Sequence, residues 1–177
     1  MFRAKSPSQR QDQARSRAIA DALGSLGYPG LINLFSDMEA EHNHDPAVVL
    51  LAAVSCDNLD ERVVEALPWL VLRFPHLDWD WAVREARDRN AQNRLGYIVG
   101  LALRVGASTS GNEELLLRLS AVEEKLFDYR LDKEDTLCVR VPEGRRKSLR
   151  ESRPPEARQW NLLTDLAPRD LAYNGRL

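Results

Sequence analysis

A chain of 177 residues, 44% hydrophobic and 29% charged with a formal net charge of -2, has the composition of a folded globular protein with one real core. Its longest apolar run, residues 47–56, falls short of the roughly 20 residues that a membrane helix needs, and residues 1–17 lack the apolar stretch of a secretory signal. The two cysteines, Cys56 and Cys138, form no CxxC pair and point to a reduced, cytoplasmic protein with neither a disulfide framework nor a zinc knuckle.

Charge is unevenly distributed along the chain. Residues 1–17 carry five basic groups and one acid. Residues 18–139 carry eleven basic groups and twenty-one acids, and residues 140–158 carry seven and three. An acidic body is thus flanked by two basic segments, which suit nucleic acid, an acidic partner or the acidic body itself.

Residues 1–16 read as a flexible basic leader. "SRAIADALGSLG" then gives a helix with Ile19, Ala22 and Leu23 on one side, stopped by Gly24 or Gly27. "PGLINLFSDMEA" repeats the pattern with Leu31, Leu34, Phe35 and Met38. After the polar "EHNHD", Asp45-Pro46 is a helix start, an acid cap followed by proline in the first turn. The run "AVVLLAAVSC" is apolar on all sides, and the Asp-Pro start and its alanines favour helix over buried strand.

Asp60 caps "ERVVEALPWLVLRF", where Val63, Leu67, Leu70 and Phe74 form the stripe. Pro68 removes one backbone bond from this helix and predicts a kink, and Pro75 ends it. Asp78 caps "WDWAVREARD", with Trp79, Ala82, Val83 and Ala86 facing inward. "AQNRLGYIVGLALRVG" is a further helix, and Gly96 and Gly100 mark tight internal packing within it. Beyond the loop "GASTSGN", Leu115, Leu119, Val122 and Leu126 make another stripe. From residue 132 onward, short helical pieces are broken by Pro142, Pro154-Pro155 and Pro168, with a short strand allowed around "TLCVRV".

The expected fold class is all-α: a compact multi-helix bundle or a helical-repeat-like array, with an irregular, Pro-broken C-terminal segment. The expected organisation is a leader (1–16), a helical core domain (17–131) and a C-terminal segment packing on it (132–177).

No GxGxxG, P-loop, GxSxG or HExxH motif occurs, so no catalytic, cofactor-binding or metal-binding residue is assigned, and the chain does not read as an enzyme. Trp69 and Trp79 fall on apolar stripes and belong to the core. Trp81 lies off that stripe beside Arg84 and Asp88, which suits a partner-binding boundary. In "RNAQNRLGY", Asn90, Gln92, Asn93 and Arg94 are groups that either read a partner or tie loops, and Gln92, Asn93 and Arg94 join Trp81, Arg84 and Asp88 as candidate partner-binding residues. Arg145, Arg146, Lys147, Arg150 and Arg153 form a candidate nucleic-acid cluster, or else a strap across the acidic body. Glu39, Glu41, His42, His44 and Asp45 are metal-capable but read first as a solvated loop. Asp78 and Asp80 could pair as carboxylates, although Asp78 is better used as a cap.

The stretch "LDERVVEALPWLVLRFPHLDWDWAVREARDRNAQNRLGYIVGLA", with "LDKEDTLC" and "RPPEARQWNLLTDLAPRDL", resembles a largely uncharacterised family of small bacterial all-helical proteins, and covers roughly two thirds of the chain. That family is associated with toxin–antitoxin or phage-defence gene pairs. The resemblance implies a bacterial origin and a cognate protein partner, a toxin or defence enzyme, and no catalytic residues. Three readings follow. The first is an antitoxin-type neutraliser of a partner enzyme. The second is a DNA-binding regulator whose helix-turn-helix would use "SRAIADALGSLGYPGLINLF". The third, less favoured, is an enzyme with a metal site at His42 and His44.

Overall fold

The computed structural model describes residues 7–31, 44–109 and 112–171. Among them the chain is all-α: α1 (Pro7–Ser25), α2 (Pro46–Val54), α3 (Glu61–Arg73), α4 (Trp79–Asp88), α5 (Gln92–Ser108), α6 (Glu113–Asp128), α7 (Glu143–Ser152) and α8 (Pro155–Gln159). Two short strands, β1 (Asp135–Thr136) and β2 (Leu162–Leu163), pair in parallel, Asp135 opposite Leu162 and Thr136 opposite Leu163.

Side-chain caps set the helix starts. Asp45 Oδ1 accepts from Ala47 N at 2.8 Å, Asp60 Oδ1 from Arg62 N at 3.0 Å, Asp78 Oδ1 from Trp81 N at 2.9 Å, and Asn112 Oδ1 from Glu114 N at 3.0 Å. Each satisfies an amide that the first turn leaves without a partner. Pro68 lies inside α3, which continues through it and ends just before Pro75.

α1 runs Pro7–Ser25, so the helix expected over "SRAIADALGSLG" extends back through residues 7–15 of the stretch read as a flexible leader. Gln, Arg and Ala are good helix formers, and one stripe of the helix gains partners. Ser16, Ile19, Ala22 and Leu23 are buried, and Ser16 Oγ accepts from Asp60 N at 2.9 Å, joining α1 to the start of α3. Gly27 (φ 97°) ends the turn after α1 in a conformation that glycine adopts without a Cβ clash. Tyr28 then meets the edge of Trp69 at 5.2 Å between centroids.

α5 is the axis of the fold. Every residue from Gln92 to Ala102 is buried, as befits a helix enclosed on all sides. α2, α3, α4 and α6 all pack on it. The C-terminal segment supplies a further wall through Trp160, which is 2% exposed and lies over Gly96. The tight packing expected at Gly96 is present, but its partner is an indole ring rather than a second helix.

Cys138 is fully buried with φ 59°, a left-handed conformation uncommon for this residue type. Its carbonyl accepts from Leu59 N at 2.7 Å, which clamps the segment after β1 against the α2–α3 connection. Burial pushes the thiol up to about 12, against the pull of nearby Arg94. A thiol pKa raised in the folded state contributes stability that is complete below the unfolded value, about 8.5, and is lost as pH rises toward 12. Denaturation midpoints are therefore expected to fall between about pH 8.5 and 12, and less steeply in Cys138→Ala. An aromatic disulfide reagent should label half-buried Cys56 first and reach Cys138 only on unfolding; prompt labelling of both thiols would contradict this placement.

Candidate partner-binding surface

α4 sorts its residues as its periodicity predicts. Trp79, Ala82, Val83 and Ala86 are buried, while Asp80, Arg84, Arg87 and Asp88 are exposed. Trp81 is half-buried and leans on the edge of the core. Asp78 and Asp80 are not a working carboxylate pair: Asp78 caps the helix, and Asp80 accepts from Lys125 Nζ at 2.8 Å. That hydrogen bond holds the Asp80 carboxyl below its usual range.

The exposed face of α4 continues onto the end of α6. The Arg87 guanidinium lies 3.6 Å from the centroid of the Tyr129 ring, and Arg130 lies 4.6 Å from that of Phe127. Phe127 is 43% exposed and Tyr129 38% exposed. Phe127 also meets the buried Trp160 edge-on, 5.4 Å between centroids, so the cluster is anchored from below. Paired rings and guanidinium groups that are half in water are the chemistry of interface hot spots. The sequence singled out Trp81, Arg84 and Asp88 on this side of α4 as candidates and did not single out Arg87, Phe127, Tyr129 or Arg130. The available signal was that Phe127 falls off the Leu115–Leu126 stripe of α6; Tyr129, three residues after Leu126, continues that stripe and gave none.

Gln92, Asn93 and Arg94 lie elsewhere. All three are buried, at 5%, 2% and 7% exposure, and form no part of the outer surface. Their polar groups bind other parts of this chain, save Gln92 Oε1, which is buried without a hydrogen-bond partner among the described residues. Gln92 Nε2 donates to Tyr129 O at 3.1 Å. Asn93 Nδ2 donates to Leu131 O and Trp160 O at 2.9 and 2.8 Å, and its Oδ1 accepts from Leu131 N at 2.8 Å. Arg94 donates to Val54 O, Cys56 O, Asp57 and both carboxylate oxygens of Asp135. Burial opposes the Arg94 charge, but the Asp135 and Asp57 hydrogen bonds outweigh it and push the guanidinium pKa up. Asn93→Ala would strand the buried Trp160 carbonyl and leave the half-buried Leu131 amide without its partner. It is expected to cost about 1–3 kcal/mol by chemical denaturation, while Asn90→Ala, at an exposed position, should cost less than Asn93→Ala.

The basic cluster of α7 is engaged with acids of the same chain. Arg150 grips both oxygens of Glu134 at 2.8–3.1 Å and holds that carboxyl below its usual range. Arg145 pairs with Asp165 at 2.8 Å and Arg146 with Glu143 at 3.3 Å. Arg153 donates to Leu162 O at 3.0 Å. Among the described residues Lys147 makes no ion pair. α7 thus lies as a strap on the body, with Arg145, Arg146 and Arg150 paired to acids of the same chain at the surface. Such exposed pairs are screened by salt, so the strap should loosen as ionic strength rises.

Of the metal-capable loop, residues 39, 41 and 42 lie outside the described residues, as does most of the second helix of the suggested helix-turn-helix. Among the described residues no three His, Cys, Asp or Glu side chains converge on a metal-sized site. No helix among them is long and apolar enough to cross a membrane. No protein-family model matches the chain, and no curated protein or solved structure is similar enough to count as a match.

Proposed function

We propose that this protein is an interaction module that neutralises a partner enzyme encoded beside it in a bacterial two-gene system, acting in the cytoplasm. The observation that carries the reading is the exposed ring–guanidinium cluster of Arg87, Tyr129, Phe127 and Arg130, continuous with the outer face of α4. It joins interface-type side chains to a rigid floor, because Trp160 and α5 hold it from beneath. A partner with a basic working groove complements the acidic body around it. The Pro-broken C-terminal segment supports the same reading, since it locks this floor in place.

The test is purification of the tagged protein from its host with nuclease present, followed by assay of the neighbouring gene product with and without it. A stoichiometric complex that suppresses the enzyme's activity is expected. Arg87→Ala with Tyr129→Ala should weaken that complex by at least about tenfold while leaving the melting temperature near that of the parent. Trp81→Ala, Arg84→Ala and Asp88→Ala report whether the face extends along α4. Inhibition unchanged in the Arg87/Tyr129 variant would place the contact elsewhere, and absence of inhibition would overturn the neutraliser reading. Salt-sensitive retention of promoter DNA without a protein partner would favour the regulator instead.

A further inference from the structure

Away from the α4–α6 face, the C-terminal segment closes over α3 and leaves a cleft of about 460 Å³. Its floor is apolar, lined by Val64 of α3 with Leu137, Leu149 and Leu163, all buried. The α3 wall is acidic. Glu61 and Glu65 are four residues apart and so share one helix face, and Asp170 joins them from the 3₁₀ turn Pro168–Asp170. Burial raises the Glu65 carboxyl pKa first, and the like charges of Glu61, Asp170 and Asp60 raise it further, against Arg62. The opposite wall belongs to the C-terminal segment and carries Arg140 and Arg145.

These charges are unevenly satisfied. Arg145 is matched by Asp165, and Asp170 accepts from Ala167 N at 2.8 Å. Among the described residues neither Glu61, Glu65 nor Arg140 has an ion pair or a side-chain hydrogen bond, whereas Arg145 and Asp170 on the same cleft do. Arg169 pairs with Asp170 at 3.8 Å, so the carboxylates left without an ion pair are Glu61 and Glu65; the cleft faces them with the unpaired Arg140 guanidinium and sets an apolar floor between the two walls. Its volume suits a small molecule. We propose that the cleft binds a small molecule of the basic amino-acid class. A terminal ammonium or guanidinium group would sit against Glu61 and Glu65, an apolar stem would cross Leu137 and Leu163, and a carboxylate would rest on Arg140. The inference stands apart from the partner surface, because the two sites share no residue.

Titration calorimetry on the full chain tests it with three probes: arginine, agmatine, which lacks the carboxylate, and norleucine, which lacks the terminal cation. Arginine is expected to bind with a Kd below about 1 mM, agmatine about tenfold more weakly, and norleucine not measurably. Glu65→Gln should weaken arginine and agmatine alike by at least about tenfold, whereas Arg140→Ala should weaken arginine and leave agmatine unchanged. Glu65→Gln keeps the side-chain shape and relieves like-charge repulsion, so it should melt as the parent does. If it does not, the exposed Arg140 variant with the arginine–agmatine contrast decides the matter alone. Arginine that fails to saturate by about 10 mM, norleucine binding equal to that of arginine, or affinities indifferent to Arg140→Ala would overturn the proposal.

Discussion

Arg94→Met is expected to lower the stability of the folded chain by about 3–5 kcal/mol, among the largest effects of any single substitution. The guanidinium joins three segments distant in sequence. It donates to the carbonyls of Val54 and Cys56 where α2 ends, and it grips Asp135 at the start of β1 at 2.7 and 2.9 Å. These contacts are not of equal weight. The Asp57 carboxylate is 86% exposed, so water and salt screen its contact with Arg94. Asp135 is 33% exposed and would keep only the Thr136 amide, and Arg94 is the side-chain donor to both carbonyls, so removing the guanidinium leaves an anion and two acceptors poorly satisfied. Lysine is not a substitute, because one ammonium group cannot reproduce a fork that meets a carboxylate and two carbonyls together. Arg94→Met combined with Asp135→Asn should recover part of the loss, since the stranded charge is then gone. Urea denaturation of the four proteins gives the coupling. A loss under about 1 kcal/mol for Arg94→Met would mean that the segments are held by packing alone.

Gly96→Ala is expected to be nearly as damaging, and for a steric reason. A Cβ at Gly96 would stand 2.2, 2.4 and 2.6 Å from three ring atoms of Trp160. The ring has little room to retreat. It is 2% exposed, Phe127 abuts it, and Asn93 Nδ2 holds its backbone carbonyl. Overpacking of this kind costs about 1–3 kcal/mol and more where the neighbours are rigid. Gly100→Ala makes the contrast. Its Cβ would meet the tips of Glu123 and Arg104, at 2.5 and 2.9 Å, and flexible charged ends can swing outward. Alanine's higher helix propensity, worth about 1 kcal/mol, then offsets much of the strain. Trp160→Leu should relieve Gly96→Ala, so that the double variant loses less than the two single losses combined. Thermal melting of the set checks this; an unharmed Gly96→Ala protein would show that Trp160 does not lie over α5 in solution.

Both predictions concern residues whose type was visible in the sequence and whose role was not. "RNAQNR" advertises hydrogen-bonding capacity, but the same groups serve a partner outside the fold or a loop inside it. Only burial separates the two, and burial depends on which segments arrive from elsewhere in the chain. Residues 131, 135 and 160 arrive at Asn93 and Arg94 from 38 to 67 positions away. No local pattern encodes that arrival. The basic run of α7 is similar: its charge was plain, but its acid partners Glu134 and Asp165 lie 16 and 20 positions off.

What the sequence determined by itself is the all-α class, the starts of α2, α3, α4 and α6, and the inward faces of α3, α4 and α6. Those features rest on local physics: a capping oxygen reaches amides two or three residues away, and a 3.6-residue period places apolar side chains on one stripe. Tertiary structure alone decided that residues 7–15 belong to α1, that α5 is enclosed from Gln92 to Ala102, that Trp160 lies over Gly96, and that Arg87 and Arg130 stack on Tyr129 and Phe127. Each of those outcomes depends on two surfaces meeting across a long stretch of chain. The free energy that favours them comes from apolar area removed from water and from polar groups satisfied at the same contact, and neither quantity exists until the segments have met.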